Sequence, residues 1–277
     1  MVLSHFQVEP LRRARAAGVT VALASIDLNL TLTEAHLSPK GVTFANGVAL
    51  GWGVLDEIAG ETNACFEIED GAAQKIQAFS ELTGRVYTLF PTQRAPTMLV
   101  SGFPMHRIKG TDPWADTLAK VKALGPTGRV LDTCTGLGYT AIECAKTARE
   151  VVTIELDPAA QEIVRRNPWS QTLSGNPRVT QLIGDSGELI ESFEGESFAR
   201  ILHDPPTFAL AGELYSLAFY RQAYRVLKPN GRLFHYIGDP HSKSGANVTQ
   251  GVARRLKEAG FTRLQPRPGA FGLVAFK

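Results

Sequence analysis

The sequence predicts an α/β protein: a mostly parallel sheet flanked by helices, preceded by a smaller α+β domain. Three observations predict it. In the second half, short apolar runs end in acids: Val130-Leu131-Asp132, Val151-Val152-Thr153-Ile154-Glu155, Leu182-Ile183-Gly184-Asp185 and Ile201-Leu202-His203-Asp204. Helical segments alternate with these runs, which is the β-α-β order of a parallel sheet. Before residue 109 the pattern is different, with short period-two stretches broken by turns.

Residues 1–17 read as a short helix carrying Arg12, Arg13 and Arg15. Residues 19–44 read as β, because Ile26, Leu28, Leu30 and Leu32 alternate with Asp27, Asn29, Thr31 and Thr33. Ser38-Pro39-Lys40-Gly41 marks a turn between two strands. Residues 47–59 are apolar, 65–68 read as a strand, 74–82 as a helix, and 86–90 and 97–100 as strands. These make up an N-terminal domain, 1–108. Residues 105–113 carry the boundary to a second domain, 109–277. Asp112 as cap and Pro113 in the first turn start a helix over 114–124. Strands and helices then alternate through 129–132, 138–147, 150–155, 158–166, 179–184, 198–203, 213–227 and 231–237. A helix over 251–259 and strands over 261–265 and 270–276 follow. Pro266, Pro268 and Gly269 imply a hairpin between those strands, so the sheet ends antiparallel.

The 277 residues are 44% hydrophobic and 20% charged, with a formal net charge of +2. That is ordinary globular material, and the charge neither demands nor excludes a polyanionic partner. Cys65, Cys134 and Cys144 form no metal-spaced pair, so a reducing compartment without disulfides is expected, and no metal. The first ten residues contain no apolar signal region. No stretch approaches the roughly 18 apolar residues of a membrane span. A cytoplasmic protein without membrane attachment is expected.

Gly136-Leu137-Gly138-Tyr139-Thr140-Ala141 fits a nucleotide-binding loop, and Glu155 lies near the roughly 20-residue distance at which an acid holds a ribose. Such a loop serves nicotinamide dinucleotides and S-adenosylmethionine (SAM) alike. The acids favour SAM. Asp132, before the glycines, repels a pyrophosphate but attracts the α-ammonium of a methionine group. Asp185, at the next strand end, is placed to accept from an adenine amino group. Asp204 opens Asp-Pro-Pro at the following strand. A nicotinamide enzyme needs neither of the last two.

Residues 132–138 resemble motif I of class I SAM-dependent methyltransferases, with Cys134 where the first glycine usually stands. Leu227-Lys228-Pro229-Asn230-Gly231 resembles the turn before the fifth strand of that superfamily. Met105-His106-Arg107, Asn167-Pro168-Trp169-Ser170 and His203-Asp204-Pro205-Pro206 add a resemblance to predicted methyltransferases first noted in archaea. The likeness covers roughly residues 112–277. It implies a Rossmann-like class I methyltransferase sheet, parallel with an antiparallel last strand. It also implies SAM held by Asp132, Cys134, Thr135, Gly136, Gly138, Glu155, Asp185 and Ser186. In amino-methyltransferases a (D/N)-P-P-(Y/F) loop holds the acceptor amine. By that resemblance Asp204, the Pro205 carbonyl and Phe208 face the acceptor, an amine or nucleobase nitrogen. Thr207 is inserted before the aromatic residue.

Residues 204–220 also resemble spermidine synthase, through Leu214-Tyr215 and Phe219-Tyr220, which makes aminopropyl transfer from decarboxylated SAM the alternative. A non-catalytic SAM-binding protein is the third reading. His106, Arg107, Tyr215 and Tyr236 are further substrate-side candidates, beside His235 at the fifth strand's end. His241 lies on a loop that reads as either lid or solvated surface. Tyr220, Tyr224, Leu217 and Leu227 fall at helical spacing and read as core. Trp169 reads as a plug. Small molecule, RNA and protein all stay open as acceptors, as does a homodimer.

Overall fold

Seven strands share one sheet. They are β1 (Arg129–Asp132), β2 (Glu150–Glu155), β3 (Val179–Ile183), β4 (Phe198–His203), β5 (Leu227–Tyr236), β6 (Arg263–Arg267) and β7 (Gly272–Phe276). The computed structural model describes residues 1–208, 210–239 and 243–277; His241 lies outside the described residues. The strand order is 3-2-1-4-5-7-6. Strands β1 to β5 pair in parallel, and β7 runs antiparallel to both β5 and β6. This is the Rossmann-like sheet expected from the sequence, including the antiparallel finish. Val130, Leu131, Ile201, Leu202, Leu233 and Phe234 are fully buried. A parallel sheet covered on both faces needs such unbroken apolar runs.

Helices α1 (Pro113–Leu124), α2 (Tyr139–Ala145), α3 (Ser186–Ser192), α4 (Leu217–Val226) and α5 (Lys243–Glu258) accompany these strands. Asp112 caps α1, its Oδ1 accepting from the Trp114 amide at 2.9 Å. Asp185 caps α3 by accepting from the Gly187 amide at 2.6 Å. That helix is missing from the sequence reading, because seven residues are too short to display a 3.6-residue period. Residues 227–231 also differ from expectation. They belong to β5 itself, whose pairing with β4 steps from Phe198↔Leu227 to Arg200↔Arg232. Pro229 has no N–H to give the ladder, and Asn230 is left-handed at φ 60°, so the chain bulges there.

By compactness the chain divides into two units, Ala115–Pro158 with Thr172–Lys277, and Met1–Trp114 with Ala159–Gln171. The second of these is β-rich. It holds three antiparallel sheets of three, four and four strands, and helices His5–Ala16, Trp52–Gly60 and Pro158–Arg166. Leu3, Val8, Leu11, Phe44, Leu55 and Ile58 form its core. Ser4 and Gln7 close a capping box at the first helix.

Two expectations fail in this unit. Residues 74–82 are not helical; strands Ala72–Lys75 and Gln77–Ser80 lie there. Asp70 and Gly71 are both left-handed, at φ 49° and 78°, and turn Phe66–Glu69 back onto Ala72–Lys75, the two-residue hairpin that Asp-Gly favours. The alternation around Ile26–Leu32 is likewise not a strand. Asp27 accepts from the Thr31 amide at 2.9 Å and its hydroxyl at 2.6 Å, while Ser25 Oγ accepts from the Asn29 amide at 2.8 Å. These side chains draw the backbone into a turn with Leu28 and Asn29 left-handed.

Under the carboxyl ends of β4 and β5 lie two fully buried imidazoles, His203 and His235, with ring centroids 4.4 Å apart. His203 Nε2 donates to the Leu214 carbonyl at 3.0 Å, so Nδ1 accepts from Thr133 Oγ1 at 2.7 Å. His235 Nε2 meets the Tyr220 hydroxyl at 2.8 Å. Burial lowers the pKa of His203 to about 3, and burial together with His203 lowers that of His235. A histidine held neutral in the native state takes up its proton on unfolding. Its stabilisation is therefore complete above the unfolded value of 6.5 and is lost as pH falls toward about 3. His203→Gln should flatten the acid dependence of stability between about pH 6.5 and 4 by up to about 1.4 kcal/mol per pH unit. Urea unfolding of both proteins across that range checks this, and equal slopes contradict it.

Candidate active site

The strand order reverses between β1 and β4, and ligands of open α/β sheets bind beyond the carboxyl ends of the strands at such a point. Asp132 ends β1 and Asp204 directly follows β4. After Asp132 the chain turns through Gly136 and Gly138, left-handed at φ 51° and 76°. Gly138 is the N-cap of α2. A side chain there would be strained by the left-handed φ and its Cβ would press to 2.5 Å on Leu173 Cδ2, so glycine suits the turn.

Hydrogen bonds join most of the expected cofactor residues. Asp132 is fully buried, and its Oδ2 accepts from Thr140 and Thr153 hydroxyls, each at 3.0 Å. Thr135 Oγ1 lies 2.7 Å from Thr153 Oγ1. Glu155 Oε2 accepts from the Gly136 amide at 2.9 Å and Oε1 from the Asp157 amide at 3.1 Å. Ser186 Oγ donates to the Thr133 carbonyl at 2.5 Å, which ties the start of α3 and its cap Asp185 to the loop after β1. Asp132 Oδ1 is buried and meets no donor in good hydrogen-bond geometry, although the nearby Cys134 backbone amide also draws the carboxyl pKa down.

Electrostatics follow from burial. Asp132 is pushed up to about 7 by desolvation, against the pull of Thr140 and Thr153 and with help from the charge of Asp204. Desolvation likewise raises Glu155 to about 7, against the amides of Asp157 and Gly136. Burial and the charges of Glu155 and Asp132 push the Cys134 thiol up, which removes it as a nucleophile near neutral pH.

Of the residues expected on the acceptor side, Asp204, Pro205, Phe208, Tyr215 and Tyr236 share the C-terminal unit. Pro205 is buried, and the Tyr215 hydroxyl donates to the Pro206 carbonyl at 2.9 Å, fixing the loop after β4. Phe208 is 55% exposed and meets Tyr215 edge-on at 5.5 Å. Tyr236 and His235 are the last residues of β5 and face opposite sides of the sheet. His106 and Arg107 belong to the N-terminal unit, where His106 Nδ1 lies 3.0 Å from Thr97 Oγ1. Trp169 donates from Nε1 to the Leu28 carbonyl at 2.9 Å in the same unit.

Sequence reasoning missed Lys120 and Asp116. Both lie on α1, both are buried, and their charges meet at 2.8 Å. Lys120 Nζ also lies 2.6 Å from Asp204 Oδ2 and 4.4 Å above the Tyr236 ring. The available signal was an Asp-x-x-x-Lys pair on a largely apolar helix. Such pairs usually lie on the surface. Among the described residues, no group of three or more His, Cys, Asp or Glu could hold a metal ion, and no helix is long and apolar enough to cross a membrane.

Residues 115–260 match the family described as Conserved hypothetical protein 95. The chain belongs to that family. The uncharacterized protein MJ1233 of Methanocaldococcus jannaschii is 40% identical over 261 residues, covering 91% of this chain and 88% of the relative. Two relatives with stated activities flank this Conserved hypothetical protein 95 member. Polyamine aminopropyltransferase 2 of Streptomyces coelicolor is 30% identical over 59% of this chain but only 31% of its own length. The release factor glutamine methyltransferase of Clostridium acetobutylicum is 25% identical over 74% of this chain and 79% of its own. A solved spermidine synthase, in complex with the transition state analogue AdoDATO, superposes with a TM-score of 0.60 at 17% identity. It covers 76% of this chain and 78% of that one, and the likeness is one of fold.

Removing Lys120 leaves two carboxylates facing each other in a largely dry site. Lys120→Met should therefore destabilise the protein by about 3–5 kcal/mol, read as a lower urea midpoint at an unchanged m-value. A loss within 1 kcal/mol contradicts the ion-pair geometry.

Proposed function

We propose that this protein is a SAM-dependent methyltransferase acting on an amine or nucleobase nitrogen. One observation carries the reading. Asp132 offers a fully buried carboxylate oxygen without a hydrogen-bond partner, beside the left-handed turn at Gly136 and Gly138. A buried acceptor in that state costs free energy until a ligand satisfies it. The α-ammonium of a methionine group brings both the proton donor and the opposite charge. A pyrophosphate brings neither.

The other residues fit the same ligand. Each oxygen of Glu155 accepts one backbone amide and keeps capacity for a ribose hydroxyl. Asp185 and Ser186 stand at the next strand end, on the adenine side of the fit. Thr135 steadies the loop through Thr153. SAM supplies a methyl group already activated on a sulfonium. What remains for the protein is orientation, which holding reactants in line can turn into most of the rate. Asp204 and the Pro205 carbonyl face the acceptor, with Tyr215 bracing the loop through Pro206. The Clostridium methyltransferase supports this reading.

Aminopropyl transfer from decarboxylated SAM is the second reading, and the Streptomyces relative favours it. The same acids accept either nucleoside. Calorimetry separates the two: SAM binding more tightly than decarboxylated SAM supports methyl transfer, and the reverse order overturns it. Asp204→Ala should keep SAM affinity and lose transfer of label from methyl-tritiated SAM into an extract. Retained transfer would remove Asp204 from the reaction.

The pKa of Asp132 adds a pH signature. A carboxyl titrating near 7 must be ionised to hold an ammonium, so SAM affinity should fall as pH drops through about 7. The fall approaches tenfold per pH unit below that point. Asp132→Asn should reduce the dependence to the part carried by Glu155, which titrates in the same range, and Glu155→Ala should weaken binding by about tenfold to a hundredfold. An affinity that is flat between about pH 6 and 8 in the wild type counts against the assignment of Asp132.

A further inference from the structure

We propose that Lys120 is a positioning residue that clamps Asp204 as a fixed anion at the carboxyl edge of the sheet, so that Asp204 orients the acceptor without taking its proton. The proposal rests on the transferase reading of this site. Its geometry is independent of any ligand. Lys120 Nζ contacts Asp204 Oδ2 at 2.6 Å, Asp116 Oδ2 at 2.8 Å and the Tyr236 ring at 4.4 Å. The ammonium donates to Asp204, and Asp116 and the π face of Tyr236 close round it. The side chains are 2% exposed at Lys120, none at Asp116 and 15% at Asp204. The cation is thus enclosed, and only the far partner reaches the edge.

Burying such a group is costly, and apolar residues of similar volume usually serve stability as well or better. Here the ion pair joins α1 to the one loop that follows β4 at the topological switch. It fixes the rotamer and the charge of the loop's acid. Asp204 acts electrostatically on Asp132 and Cys134 at the end of β1 and on Tyr215 before α4, while Asp116 from α1 and Tyr236 at the end of β5 contact Lys120. Tyr215 is raised by burial and by the charge of Asp204, so it stays a neutral hydrogen-bond donor. Lys120 is the cation in this set.

A carboxylate in contact with an ammonium is a weak base. General-base catalysis wants a group that titrates near the working pH. Asp204 therefore selects acceptors that attack with a lone pair they already carry. A neutral amine or ring nitrogen qualifies. Its lone pair forms the N–C bond as the S–C bond of the sulfonium breaks, sulfur keeps that electron pair, and the surplus proton leaves to solvent. An alkyl hydroxyl needs its proton removed during attack, which a clamped Asp204 does not do.

The test is carboxyl ¹³C NMR of aspartate-labelled protein without ligand, comparing wild type, Lys120→Met and Lys120→Arg. The Asp204 signal should titrate about one pH unit or more higher in Lys120→Met, and Lys120→Arg should restore it. The same midpoint in all three overturns the clamp. If Lys120→Met fails to fold, the ¹⁵N spectrum of the wild-type lysine ammonium groups decides. Lys120 should give a separate, slowly exchanging signal at neutral pH that Asp204→Asn removes; a signal merged with the exposed lysines overturns the proposal. Methyl label recovered from an extract on nitrogen supports the acceptor class, and label on oxygen overturns it. Failure to bind SAM in calorimetry would sink the transferase reading alone, since the NMR result is obtained without ligand.

Discussion

A parallel sheet buried on both faces leaves polar chemistry only at its strand ends, and that constraint organises the C-terminal unit. Val130, Leu131, Ile201, Leu202, Leu233 and Phe234 fill the sheet with side chains that exclude water. Charge can then collect only where each apolar run stops. Asp132, Glu155, Asp185 and Asp204 are those stops. Because the strands share a direction, all four stand at one edge. Because the order turns from 3-2-1 to 4-5, Asp132 and Asp204 come from opposite sides of the reversal.

The acids at this edge meet two different fates. Glu155 and Asp185 are satisfied largely by backbone amides of their own neighbourhoods, those of Gly136, Asp157 and Gly187. These bonds shape the loops. Asp132 and Asp204 have side-chain partners instead, threonine hydroxyls for one and a lysine for the other. Their charges interact, since Asp204 helps to raise Asp132. Lys120 offsets part of that repulsion. With Asp116 it leaves the three-residue cluster one negative charge in excess. An edge with that balance suits a cationic group, such as a sulfonium or an ammonium.

Much of this was legible in the sequence, and the limit of legibility is locality. Strand ends, the Gly136–Gly138 turn, the Asp112 cap and the final antiparallel pair are all written in neighbouring residues. Some equally local signals nonetheless mislead. Ser25 and Asp27 bend a stretch whose alternation looks like a strand. Asp70-Gly71 converts an apparent helix into a hairpin. Pro229 and Asn230 bulge out of β5 rather than preceding it. The most consequential miss is Lys120, whose partner Asp204 lies 84 residues away. An i,i+4 acid–base pair on a helix predicts a solvated contact worth little. Only the fold shows that it is buried and that a third charge completes it.

Local consistency marks sequences that fold, and its breaches tend to gather at functional sites. Three such breaches lie at the carboxyl edge of the sheet. Asp132 keeps an oxygen buried without a partner, Glu155 titrates near neutrality, and an ion cluster occupies ground where apolar packing would serve stability as well. Each makes sense if the free energy withheld from folding is recovered on binding, because a ligand that supplies the missing donor and charge gains what the apo-protein lacks. The unsatisfied oxygen of Asp132 also sets a direction. An oxygen in that state rewards a cation carrying a hydrogen-bond donor and penalises an anion.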